Sequence, residues 1–94
     1  MPQANQNTGK DQAKQEFEKR RTESREIRRI KHRVELMESE IGKIEARMKD
    51  IESVLSNPSA NDDILELTRS YLELKRELDI KTGEWESLIL KLEE

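Results

Sequence analysis

From Ile27 to Leu55 the apolar residues of this chain fall at Ile27, Ile30, Val34, Met37, Ile41, Ile44, Met48, Ile51 and Leu55, steps of 3 and 4 in strict alternation. This is a heptad seam with positions a and d apolar, the pattern that winds one helix against another. A second seam of nine positions runs Ile64, Leu67, Tyr71, Leu74, Leu78, Lys81, Trp85, Leu88 and Leu92, and only Lys81 departs from apolar. Between the seams stands Ser56-Asn57-Pro58-Ser59-Ala60-Asn61. Pro58 lacks a backbone donor and disfavours the helical conformation at Asn57. Ser59 or Asn61 is placed to cap a new helix, with Asp62 and Asp63 where the helix dipole favours negative charge. A connection of about six residues is too short for a parallel return. The fold class read from this pattern is all-α, an antiparallel two-helix coiled-coil hairpin. Its arms are predicted at about 20–56 and 61–93, and each seam spans about 43 Å at 1.5 Å rise per residue.

Two registers satisfy such a hairpin. Antiparallel packing sets a against d, so facing residue numbers total either 115 or 122. The first puts Trp85 beside Ile30 and Lys81 beside Val34; the second puts Trp85 beside Met37 and Lys81 beside Ile41. A loop centred near Pro58 favours 115. The stem of Lys81 is expected to pack in the seam while its ammonium reaches a flanking carboxylate such as Glu38 or Glu84. Gly83 falls on the outer face, where it costs about 0.5–1 kcal/mol of helix stability relative to Ala.

Composition agrees with one seam per helix and nothing thicker. Hydrophobic residues are 32% of the 94 and charged ones 41%. That balance suits disorder or a long two-sided helix, and the periodicity selects the helix. Absence of cysteine excludes disulfides, thiolate catalysis and Cys-based zinc sites, and the single His leaves no His-rich metal site. No run approaches the roughly 18–20 apolar residues of a membrane span, and no signal-peptide core follows Met1. A cytoplasmic location is the expectation. Residues 1–19, rich in Gln, Asn and Lys at their start, read as a basic N-terminal extension, a linker that is disordered or partly helical. The hairpin domain is read as 20–94.

No Gly-rich loop, nucleophile–base pair, HExxH or EF-hand spacing occurs, and a two-helix hairpin has no cleft to desolvate a catalytic pair. The segment is therefore expected to be non-catalytic, with no cofactor of its own and no small-molecule substrate. Charge is the informative feature. Residues 1–33 hold ten Lys/Arg against five Asp/Glu, and residues 34–94 hold eight against sixteen. Such asymmetry points to a polyanionic partner. The candidate site is Lys19, Arg20, Arg21, Arg25, Arg28, Arg29, Lys31 and Arg33, eight cations in fifteen residues. Arg21, Arg25, Arg28 and His32 follow at steps of 4, 3 and 4 and share an outward face. Guanidinium groups at about 5–6 Å spacing along a helix can track phosphates, with bidentate contacts. Such contacts position without reading sequence, and no aromatic residues interleave this stretch for base stacking. The competing reading pairs these arginines with Glu84, Glu86, Glu93 and Glu94 at the same end of the hairpin. A second class of function is a protein-interaction or oligomerisation coiled coil, including a weak homodimer, through outward Leu65, Leu72, Ile80, Ile89 and Leu90.

The order of parts resembles a known family. A basic helix start (Arg28-Arg29-Ile30-Lys31), a heptad arm (Val34 through Leu55), a breaker with Asn57-Pro58 and a return arm follow one another. The return arm carries Tyr71-Leu72-Glu73-Leu74-Lys75-Arg76-Glu77-Leu78 and closes on Glu84-Trp85-Glu86-Ser87-Leu88. Over about residues 20–94 this resembles the C-terminal coiled-coil domain of the ABC-F ATPases, the Uup-like group in particular. The resemblance implies a parent protein with two ATP-binding cassettes and no membrane domain, using ATP and magnesium outside this chain. It also implies a tail that contacts DNA or, as in the wider group, ribosomal RNA. The chain departs from the family in its short loop and strongly acidic return arm, which confine any nucleic-acid footprint to the basic end.

Overall fold

The computed structural model describes the backbone of residues 2–94 and the side chains of residues 10–94; Met1 lies outside the described residues. Two helices, α1 (Pro2–Ser56) and α2 (Ile64–Glu93), pack against each other as an antiparallel hairpin, with no strand among the described residues. The molecule is a rod with extents of 90 × 17 × 14 Å.

The first helix is longer than its seam. The segment expected as a linker is helical from Pro2 and runs into the arm without a break. Pro2 suits a first helical turn, and Gln, Ala, Lys and Glu lose little side-chain freedom in a helix. Gly9 and Gly42 are absorbed with negative φ. Ser56 ends the helix, with its Oγ donating to the Glu52 carbonyl at 2.8 Å.

The tip differs from expectation in where the second helix starts. Asp63 is the N-cap, its Oδ1 accepting from the Glu66 amide at 3.1 Å. Ser59 and Asn61 do not cap. Instead the Ser59 amide and hydroxyl both donate to Asp62 Oδ2, at 2.7 and 3.0 Å, while the Asp62 amide donates back to the Ser59 carbonyl at 3.1 Å. Asp62 is thereby held in the turn, and Asp63 is the carboxylate left to satisfy an orphan amide of the helix.

A later start for α2 settles the register at 122 and overturns the 115 favoured by a loop centred on Pro58. Tyr71 faces Glu52, Lys81 faces Glu40 and Trp85 faces Glu38, pairs whose numbers total 121 to 123. Val34, Met37, Ile44, Met48, Ile51 and Leu88 are buried, and most other seam residues are half-buried. Two seam residues stay exposed, Ile27 at 46% and Ile64 at 42%. Both follow from the register. Ile64 lies level with Pro58, past the end of α1, and Ile27 lies just beyond the last turn of α2. Every described core side chain keeps some solvent contact, as expected where only two helices share the apolar surface.

Candidate nucleic-acid interface

All eight candidate cations, Lys19, Arg20, Arg21, Arg25, Arg28, Arg29, Lys31 and Arg33, lie on α1 and are exposed. The register explains why. Glu94 lies level with Arg28, so α1 upstream of that point projects beyond α2 as a single helix. Where α2 ends, an open groove of about 540 Å³ is lined by Glu23, Glu26, Ile27, Ile30, Lys91, Leu92 and Glu94. Beyond it the first helix has solvent on every side.

Helix phase sorts the eight. Arg21, Arg25 and Arg28 stand with His32 on the face opposite the seam, at 100° per residue. Lys19, Arg20 and Arg33 lie toward the seam side, and Arg29 and Lys31 flank the outer row. The structure thus brings three of the eight cations into one row and spreads the others around the helix. It also adds two that sequence reasoning left out. Because α1 is continuous from Pro2, Lys10 and Lys14 fall in phase with Arg21, and both are exposed. The extended row Lys10, Lys14, Arg21, Arg25, Arg28, His32 covers about 33 Å of helix at 1.5 Å per residue. The spacing of 4 and 7 residues that aligns them is present in the sequence, but a segment read as linker offers no phase to apply it to.

Electrostatically the row is open. Among the described residues the ion pairs are Arg69–Glu66 at 3.8 Å, within α2, and Lys81–Glu40 at 2.8 Å, across the hairpin. None of the eight candidates pairs with Glu84, Glu86, Glu93 or Glu94, so the competing reading of internal neutralisation is not what the geometry shows. Two of the acidic arm's neighbours on α1 are engaged elsewhere. Glu38 accepts from Trp85 Nε1 at 3.2 Å and Glu52 accepts from the Tyr71 hydroxyl at 2.7 Å. Glu40, and not the expected Glu38 or Glu84, holds Lys81. The hydrogen bond and charge of Lys81 pull the Glu40 carboxyl below the usual carboxylate range. Glu40 in turn raises the Lys81 ammonium, and Glu77 and Glu84 add to the shift against the opposing effect of burial. The hydrogen bond to Glu52 raises the Tyr71 phenol.

No group of three or more His, Cys, Asp or Glu able to hold a metal occurs among the described residues. With no glycine-rich phosphate loop either, the residues present do not fit ATP and magnesium. No described helix is long and apolar enough to cross a membrane. The other grooves are open; one lies on the projecting helix among Gln12, Gln15, Glu16 and Lys19, and others lie beside the seam, as where Ile41, Gly42, Thr82 and Trp85 line about 320 Å³.

No curated protein and no solved structure matches the chain. A family profile described as the ABC transporter C-terminal domain matches residues 18–89, which take in both arms and the tip, and the chain belongs to that family.

Proposed function

We propose that this chain is a non-catalytic, nucleic-acid-binding C-terminal domain of a cytoplasmic ABC-F-type ATPase, and that it grips phosphates through the basic face of the projecting part of α1. The observation that carries the reading is the exposed, unpaired row of cations on a helix that α2 leaves uncovered. Backbone phosphates of DNA or ribosomal RNA are the ligand, since the cations of the row offer charge-assisted hydrogen bonds to oxygen; one exposed aromatic, Phe17, stands beside them. ATP and magnesium belong to the cassettes of the parent protein.

The test is a matched pair of triple variants. Changing Arg21, Arg25 and Arg28 to Gln is expected to weaken binding to nucleic acids of any sequence. It should also flatten the slope of log affinity against log salt, by about 0.9 for each duplex phosphate that is no longer neutralised. Changing Arg69, Arg76 and Lys91 to Gln removes the same charge from α2 and should alter neither quantity appreciably. Equal losses from both triples would reduce the effect to net charge and remove the site.

A second reading, a protein-contact hairpin, has one observation in its favour. Leu65, Leu72, Ile80 and Leu90 are 58 to 70% exposed on the outer side of α2. They stand at least seven residues apart, about 10 Å or more at 1.5 Å rise, and so offer isolated contacts, including any weak homodimer, in place of a stripe.

A further inference from the structure

The two heptad registers bury almost the same seam. In the observed register Leu67, Tyr71, Leu74, Leu78, Lys81, Trp85, Leu88 and Leu92 meet Leu55, Ile51, Met48, Ile44, Ile41, Met37, Val34 and Ile30. Slipped by one heptad, Ile64 through Leu88 would meet Ile51 through Ile27 in the same a-against-d packing, again eight layers. The slip uncovers Leu55 and Leu92 but covers Ile27 and Ile64, the two seam residues now exposed at 46% and 42%. Apolar burial therefore does not choose between the registers. The tip is not exclusive either. Asp63 caps α2 as observed, yet Asn57 followed by Pro58 is itself a sound N-cap and first position for a helix.

What distinguishes the registers is polar. Three donors on α2 reach three glutamates on α1: Tyr71 Oη to Glu52 at 2.7 Å, Lys81 Nζ to Glu40 at 2.8 Å and Trp85 Nε1 to Glu38 at 3.2 Å. In the slipped register Trp85 would sit level with Ile30, with Lys31 in the place that Glu38 now holds. Lys81 would sit level with Val34, with Arg33 in the place of Glu40, whereas Tyr71 would meet Glu45 in the place of Glu52. Trp85 would lose its acceptor and Lys81 would face like charge, which is the means by which a paired-helix protein rejects an alternative partner.

We propose that Glu38 and Glu40 latch the hairpin in one of two heptad registers, and that their release slides α2 one heptad along α1. The slide is about 10 Å. It carries Glu93 and Glu94 from the level of Arg28 to that of Arg21, on the seam side of α1 and away from the outward row.

The chain has no cysteine, so paired cysteines report register directly. Ile44→Cys with Leu78→Cys closes in the latched register, and Met37→Cys with Leu78→Cys in the slipped one. The full chain, equilibrated in a glutathione redox buffer, is expected to favour the 44–78 disulfide. Glu38→Gln and Glu40→Gln together should move the ratio of disulfides about fivefold toward 37–78, the scale that two exposed contacts control. Trp85→Phe with Lys81→Met removes both register-specific donors while keeping the seam apolar, and it should move the ratio the same way even if the glutamine pair loses helicity. An unchanged ratio in the Trp85→Phe, Lys81→Met background, with helicity retained, overturns the latch. So do equal yields of the two disulfides in the unmodified background.

Discussion

Lys81 occupies a seam position that every neighbour in its row fills with an apolar side chain, and its side chain is 24% exposed against 51% for Glu40. The pair works at the edge of the seam, where water screens it and its contribution to stability is small. Its pH dependence has a definite sign. Glu40 is depressed, so its contribution exists at neutral pH and is lost as pH falls through its folded value. Lys81 is raised, so its contribution persists below its unfolded value and is lost as pH rises through the folded one. Lys81→Met should therefore leave the neutral-pH melting temperature equal or higher, since a buried methionine replaces a half-solvated pair, and should reduce the acid-side drop in melting temperature; thermal melts followed by circular dichroism across pH check both. The glycines give a second prediction at this scale. A Cβ built on Gly42 or Gly83 meets nothing within 4 Å, so each Gly→Ala change should stabilise the helix by about 0.5–1 kcal/mol and raise the melting temperature by a few degrees. Ile44 is the opposite case. It is 7% exposed at mid-seam, and Ile44→Asp buries an unpaired carboxylate, which should abolish the cooperative melt.

At the scale of the element, α1 combines two physically different helices in one. From about Arg28 to Ser56 it is held by packing against α2, whereas from Lys10 to Ile27 it has only its own propensity and the bond from the Thr22 hydroxyl to the Glu18 carbonyl. Isolated charged helices of that length are marginal in water. Amides of Lys10–Glu26 are accordingly expected to exchange with deuterium orders of magnitude faster than those of Val34–Met48, which hydrogen-exchange mass spectrometry resolves. The same division explains what could be read in advance. The seams were legible because an apolar residue at every a and d position leaves little freedom in interpretation. The register was not, because a heptad repeat looks the same after translation by seven residues, and the choice falls to Asp63 and two cross-arm donors. The projecting helix was illegible for a related reason: without packing it carries no apolar period, so Lys10 and Lys14 had no visible place in the row. Lys81 is legible in kind, as a packed stem with a solvated head, but its partner Glu40 follows from the register and is not legible without it.

Over the whole molecule, stability and recognition occupy different lengths of a 90 Å rod. The buried side chains run from Val34 to Ile51 on α1 and include Leu88 on α2, while the cations run from Lys10 to Arg33. Residues 34–94 carry sixteen acidic against eight basic side chains, so a phosphate backbone is attracted at one end of the rod and repelled along the rest. In the proposed function that polarity would orient the domain on a nucleic acid without any base-specific contact. It also predicts that the two properties separate on truncation. Removing residues 1–18 takes away Lys10 and Lys14 and none of the buried side chains among the described residues, so the melting temperature should change by no more than a degree or two. If both lysines touch phosphates, the salt dependence of duplex binding should flatten by about 1.8, twice the slope of a single phosphate, with the remaining affinity held by Arg21, Arg25 and Arg28. A melt that collapses on truncation would place part of the folding energy in the projecting helix, and an unchanged salt slope would confine the phosphate contacts to the arginines next to the hairpin.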